Sequence, residues 1–307
     1  MKEKSKEKSN LGKIMKRAII IWILIVIAVG FYWMQKAVFF HPWNDPESRE
    51  ILDDRSDVNN IKIYYNRTTS SSSSASLDFS SEEIILDGWV RFEGSKDEKK
   101  PLVIYFGGNA ENTSYTIRRW IDNDMFDIFE GYNFMSVDYP GYGLSTGQPS
   151  DKTMYEAGEQ IYDYARMQDY VDEDKIVIVG YSIGTGIATH VAAYGKTNGL
   201  ILVAPYDKAN TLYNNAINIF YGPARKITRY DFNSSKDAED VECVPLIIAS
   251  KGDEVINYNS SLNLANYFKK GAQFLTVENL KHNQFFGDAK VRTAIFNYLN
   301  EKSENNF

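Results

Sequence analysis

Ser182 is the residue in this chain whose surroundings most resemble a reactive centre. It stands in Gly180-Tyr181-Ser182-Ile183-Gly184, a G-x-S-x-G spacing, between the β-branched run 176–179 (IVIV) and the small-residue segment 185–193 (TGIATHVAA). An apolar β-branched run reads as a buried parallel strand, and the small-residue segment reads as a helix. A serine on a tight strand-to-helix turn takes strained backbone angles, and flanking glycines let strand and helix approach each other. The turn lifts the hydroxyl above the carboxyl end of the strand. It also leaves the N–H of Ile183, at the start of the new helix, free to bind an anion.

A serine hydroxyl needs a base to remove its proton, and a second group to hold that base. Of the three histidines, His41 precedes the globular part and His190 falls inside the helix after the serine, which leaves His282. It follows the strand expected at 272–277, where a side chain can reach the same rim of a sheet. The acid is expected after the strand 245–249, in 250–256 (SKGDEVI). Asp253 is the leading candidate, with Glu254 and Asp207 as competitors. The order serine, acid, histidine is one that strand-turn-helix nucleophiles use. A second oxyanion donor is expected from the loop after the strand 101–106. There Gly107-Gly108 lets backbone approach a ligand, and the N–H of Asn109 is assigned as partner to that of Ile183. No metal or organic cofactor is required, and His, Cys and carboxylates form no cluster with metal-ligand spacing.

Eight strand-like runs support these positions: 61–65, 84–92, 101–106, 133–137, 176–179, 199–204, 245–249 and 272–277. Helical patterns alternate with the later ones, as in a doubly wound, mostly parallel α/β sheet. Asp138, in the loop 138–145, is read as holding that loop by hydrogen bonds rather than reacting. Residues 206–244 form a polar-aromatic excursion, read as a candidate cap. Within it Tyr213, Ile217, Phe220 and Tyr221 share one helix face, either over the substrate or packed on the sheet. Residues 68–81 are serine-rich and read as a flexible hairpin loop or a disordered insert.

The chain has 307 residues, 43% of them hydrophobic, and a formal net charge of −7. That length suits one large domain with an appendage. The acidic balance, with no basic stripe in the body, argues against a nucleic-acid partner. Cys243 stands alone and precludes an internal disulfide. Basic charge concentrates at the N-terminus, in Lys2, Lys4, Lys6, Lys8, Lys13, Lys16 and Arg17, followed by an uncharged apolar run from residue 18 to 34. This pattern predicts a basic cytoplasmic tail over 1–17, a transmembrane signal anchor over 18–38 and a juxtamembrane linker over 39–60. The globular domain then occupies 61–303, on the extracytoplasmic side. A signal peptide cleaved near 28–30 is the rival reading.

The elbow, together with 35–42, Leu86-Asp87-Gly88-Trp89, 105–110, 138–143, 252–256 and His282-Asn283, resembles the α/β-hydrolase superfamily. Within it the chain is similar to the membrane-anchored, abhydrolase-domain serine hydrolases related to the prolyl oligopeptidase group. The resemblance implies hydrolysis of a small-molecule ester or thioester, lipid-derived acyl esters among them. A peptidase and a non-catalytic protein of the same fold are the alternatives. The chain departs from the family pattern in having Gly107-Gly108 where His-Gly is usual, and Glu111 where glycine is usual.

Overall fold

A computed structural model of the chain describes residues 2–73, 76–216 and 228–304. It opens with helix α1 (Lys2–Phe39), which contains a stretch, Gly12–Lys36, long and apolar enough to cross a membrane. Helix α2 (Pro46–Asp53) follows, then the hairpin β1 (Val58–Ser73) and β2 (Ser76–Arg91), and β3 (Lys100–Phe106). Next come α3 (Thr113–Asp122), a 3-10 turn at Met125–Phe129, β4 (Asn133–Val137), α4 (Asp151–Arg166), β5 (Val171–Tyr181) and α5 (Gly184–Tyr194). Then β6 (Gly199–Val203), α6 (Ala209–Ala216), α7 (Ser234–Ala238), β7 (Leu246–Ser250) and α8 (Tyr258–Ala265) lead to β8 (Gln273–Val277). A 3-10 segment at His282–Gly287 and α9 (Ala289–Glu304) complete the described chain.

The strands form one sheet in the order β1-β2-β4-β3-β5-β6-β7-β8. From β4 to β8 all pairings are parallel, and β1 and β2 join antiparallel at one edge. Every residue of β4, β6 and β7 is buried, as are Ile176 to Gly180 of β5, because helices cover both faces. That is why these strands read as continuous apolar runs instead of alternating ones. Each buried Val, Ile or Leu contributes roughly 1.5–3 kcal/mol through removal from water.

After β3 the chain steps outward to β4, then crosses back to lay β5 on the other side of β3. The loops leaving β3 and β5 therefore diverge and open a crevice at the carboxyl edge, the place where doubly wound sheets bind ligands. The Gly107-Gly108-Asn109 turn and the Ser182 elbow are those two loops.

Three sequence expectations change. Residues 39–60 are not a simple linker: they hold α2, capped by Asp45, whose carboxylate accepts the N–H of Ser48, and they include the start of β1. Residues 68–81 continue the two hairpin strands, paired from Thr68↔Ser81 to Ser73↔Ser76, so the serine-rich stretch is ladder for most of its length. Helix α1 runs through the basic tail as well as the apolar run. Ile217, Phe220 and Tyr221 lie outside the described residues.

Candidate active site

The elbow forms as its glycines require. Ser182 has φ +54°, in the left-handed region where a side chain is strained, and its N–H is held by the carbonyl of Val203 at 3.0 Å. A Cβ on Gly184 would lie 2.1 Å from the Phe106 carbonyl oxygen, and one on Gly180 would lie 2.7 Å from Ala188 Cβ. Both positions therefore exclude any larger residue. Thr185 closes the turn by donating its hydroxyl to the Ser182 carbonyl at 2.6 Å.

His282 Nε2 lies 2.9 Å from Ser182 Oγ, and its Nδ1 lies 2.9 and 3.1 Å from the two carboxylate oxygens of Asp253. Residues separated by 100 and 29 positions in sequence thus meet in one hydrogen-bonded line. Asp253 is itself fixed, since its Oδ1 accepts the N–H groups of Val255 (2.8 Å) and Ile256 (2.9 Å). Its side chain is 2% exposed. The competing acids do other work. Asp207 binds Ser260 and Thr211, both at 2.7 Å, beside the start of α6, and Glu254 accepts the backbone N–H of His282 at 3.2 Å.

Sequence reasoning missed the groups that aim the histidine. Tyr181 donates its hydroxyl to the His282 carbonyl at 2.6 Å and lays its ring against the imidazole, with 5.2 Å between centroids. A tyrosine next to the nucleophile could have signalled this, because it leaves the strand on the side facing the β8 loop.

Asn109 and Ile183 line the same cavity as Ser182 and His282, together with Phe39, Leu212, Tyr213, Glu254, Val255 and Ile256; its volume is about 410 Å³. The loop carrying Asn109 is fixed peptide by peptide. Tyr139 donates to the Gly107 carbonyl (2.9 Å), and Tyr142 donates to that of Asn109 (2.7 Å). Glu111 holds Gly108 at both ends: its carboxylate accepts the Gly108 N–H at 3.1 Å, and its own N–H donates to the Gly108 carbonyl at 3.3 Å. The second bond sets the plane of the peptide whose N–H belongs to Asn109. Among the described residues, no hydrogen bond takes up the N–H of Asn109 or of Ile183.

Glu111 also accepts the hydroxyl of Tyr105 at 2.9 Å. Burial pushes its carboxyl pKa up, against the bonds from Tyr105 and Gly108 that favour the charged form. A Cβ on Gly107 would meet Glu111 Oε2 at 2.2 Å. The two departures from the family pattern are therefore one arrangement, in which the carboxylate occupies the space a side chain at 107 would need. The Asp138 side chain ties a different segment from the loop 138–145 expected: Oδ1 accepts the Thr113 N–H at 2.9 Å at the start of α3, while within its own loop its backbone carbonyl accepts the Ser145 hydroxyl at 2.7 Å; burial raises its carboxyl pKa to about 7. Tyr213 is both packed and facing the cavity, so the two readings of it coincide.

Residues 101–237 match a family profile described as alpha/beta hydrolase fold. The alpha/beta hydrolase domain-containing protein 17C of Xenopus tropicalis is 30% identical over 152 residues, covering 49% of this chain and 47% of the relative. The alpha/beta hydrolase domain-containing protein aho-3 of Caenorhabditis elegans is 28% identical over 151 residues, covering 49% and 44%. The matched stretch thus spans about half the length of these curated relatives. Among solved structures, an alpha-beta hydrolase from Vibrio vulnificus superposes with a TM-score of 0.63 at 15% identity, over 89% of this chain and 93% of that one. Est1E from Butyrivibrio proteoclasticus, with ferulic acid bound, gives 0.59 at 18% identity over 72% and 96%. The esterase Pf2001 of Pyrococcus furiosus gives 0.60 at 11% identity over 85% and 98%. The chain has the α/β-hydrolase fold, and over about half its length its sequence is similar to alpha/beta hydrolase domain-containing proteins.

Proposed function

We propose that this protein is a membrane-tethered serine hydrolase that cleaves acyl esters or thioesters through an acyl-enzyme. One observation carries the reading: the imidazole of His282 bridges the Ser182 hydroxyl and the Asp253 carboxylate inside a cavity lined by two free backbone donors. With Nδ1–H donated to Asp253, Nε2 accepts the Ser182 proton as the hydroxyl attacks the substrate carbonyl. The oxyanion is stabilised by the N–H groups of Ile183 and Asn109, each such donor contributing roughly 10²–10³ in rate. The imidazolium then protonates the departing alcohol or thiol, and water, activated by the same nitrogen, releases the acid and restores Ser182. The mostly apolar lining suits an acyl group, and the apolar stretch of α1 suits a tether.

Labelling of the full-length protein by a fluorophosphonate tests this. Wild type is expected to label and Ser182→Ala is not, with ester turnover falling at least about 10³-fold. Labelling that persists unchanged in the alanine variant refutes the assignment.

A further inference from the structure

The residues that leave the apolar helix are built into the reaction site. Phe39, the last residue of α1, is 7% exposed, lines the cavity, and packs its ring 4.5 Å from that of Tyr213 and 5.8 Å from that of Tyr230. Its carbonyl accepts the side-chain amide of Asn109 at 3.2 Å. The N–H of His41 donates to the Asn109 carbonyl, also at 3.2 Å, and the indole N–H of Trp43 donates to the Ala110 carbonyl at 2.8 Å. The Trp43 carbonyl accepts the N–H of Gly143, so the same residue spans two loops of the rim. Just before the exit the helix is fastened too. Gln35, 2% exposed, accepts the Arg229 N–H at 2.7 Å, and the Arg229 guanidinium lies over the rings of Tyr32 and Trp33.

We propose that residues 39–43 complete the reaction site, with two separable roles, on the reading of Ser182 as nucleophile given above. Phe39 is the specificity-determining wall: an aliphatic acyl chain enters along the end of α1, between Phe39 and Leu212, from an ester resident in the bilayer. Trp43 is a positioning residue, holding the loop that presents the Asn109 N–H to the oxyanion. An aromatic wall at the foot of a membrane helix matches the chain to the interface in which it dissolves. A strap that hydrogen-bonds to residues 109 and 110 ties the geometry of that N–H to the seating of the helix.

The test uses full-length protein in phospholipid nanodiscs, with p-nitrophenyl acetate, octanoate and palmitate as probes. Phe39→Trp narrows the passage and is expected to lower kcat/KM for the two long esters by about tenfold, leaving acetate within about threefold. Phe39→Ala is expected to shift preference the opposite way. Trp43→Phe keeps a ring but removes the donor, and is expected to lower kcat about tenfold for every ester with KM unchanged. Fluorophosphonate labelling of each variant shows that Ser182 is still folded into its site. A chain-length profile unmoved by both Phe39 changes overturns the first role. An unchanged kcat in Trp43→Phe overturns the second, and in either case a labelled wild type leaves the hydrolase reading standing. A wild type that neither labels nor turns over ester removes that reading and this inference together.

Discussion

Gly107 and Glu111 show how two residues can look anomalous separately and make sense as a pair. The carboxylate reaches back across three positions to take the Gly108 N–H, and glycine at 107 leaves it the room. Gln at 111 retains an oxygen that can accept the same N–H, so Glu111→Gln is expected to keep most activity. Glu111→Ala frees the loop and is expected to lower kcat about 10- to 100-fold with KM little changed, as read by steady-state ester hydrolysis. That Ser182, Asp253 and His282 would come together was legible in the sequence, because each follows a strand-like run and chain order limits the choices. The work of Glu111 was not, since a contact from i to i+3 in an irregular loop leaves no periodicity to read.

Helix α5, which follows Ser182, is held to its neighbours by a charge cluster as well as by packing. His190 Nε2 lies 2.9 Å from Glu159 of α4, its Nδ1 lies 3.2 Å from Asp237 of α7, and its ring stacks on Tyr155 at 4.3 Å. Burial lowers the imidazole pKa, but the two carboxylates outweigh it and the net shift is upward from 6.5. A raised folded-state pKa means stability that is fully present below the unfolded value and lost as pH rises through the folded one. Urea unfolding followed across that window is expected to show stability declining with pH in wild type, and a flatter profile in His190→Gln. A profile of equal slope in both would dissociate His190 from the effect. At this scale the central strands β3 to β7 could be read directly, because burial on both faces writes them as apolar runs, whereas the edge strand β1 alternates buried and exposed residues and β8 is only partly buried. Helix α2 was concealed by the charged sequence PESREILD, although Asp45-Pro46 carried the start signal. The serine-rich strands defied composition, since backbone pairing does not depend on having side chains to bury.

For the molecule as a whole, residues 35–43 are fastened onto the domain, so the cavity lies beside the end of α1's apolar stretch; if that stretch is the tether proposed above, the basic residues before it predict a tail inside and a body outside. Protease added to intact cells is expected to digest the C-terminal domain, and protection of that domain would reverse the orientation. The apolar stretch of α1 was legible in hydropathy alone. That its far end takes part in the cavity was not, because the aromatic cluster of Phe39, Tyr213, Tyr230 and Phe232 joins parts of the chain nearly two hundred residues apart.

The hairpin at the edge of the sheet touches β4 only through Gly88 to Arg91, while its ladder continues to Ser76. Among the described residues, those that border the Ser182 cavity all lie outside 68–81. The pairing of β2 with β4 begins at Gly88, so insertions or deletions within the serine-rich ribbon leave that junction untouched. Changes made two residues at a time preserve which way each strand faces. Shortening or lengthening the ribbon in this way is therefore expected to leave the hydrogen-bonded line of Ser182, His282 and Asp253 in place.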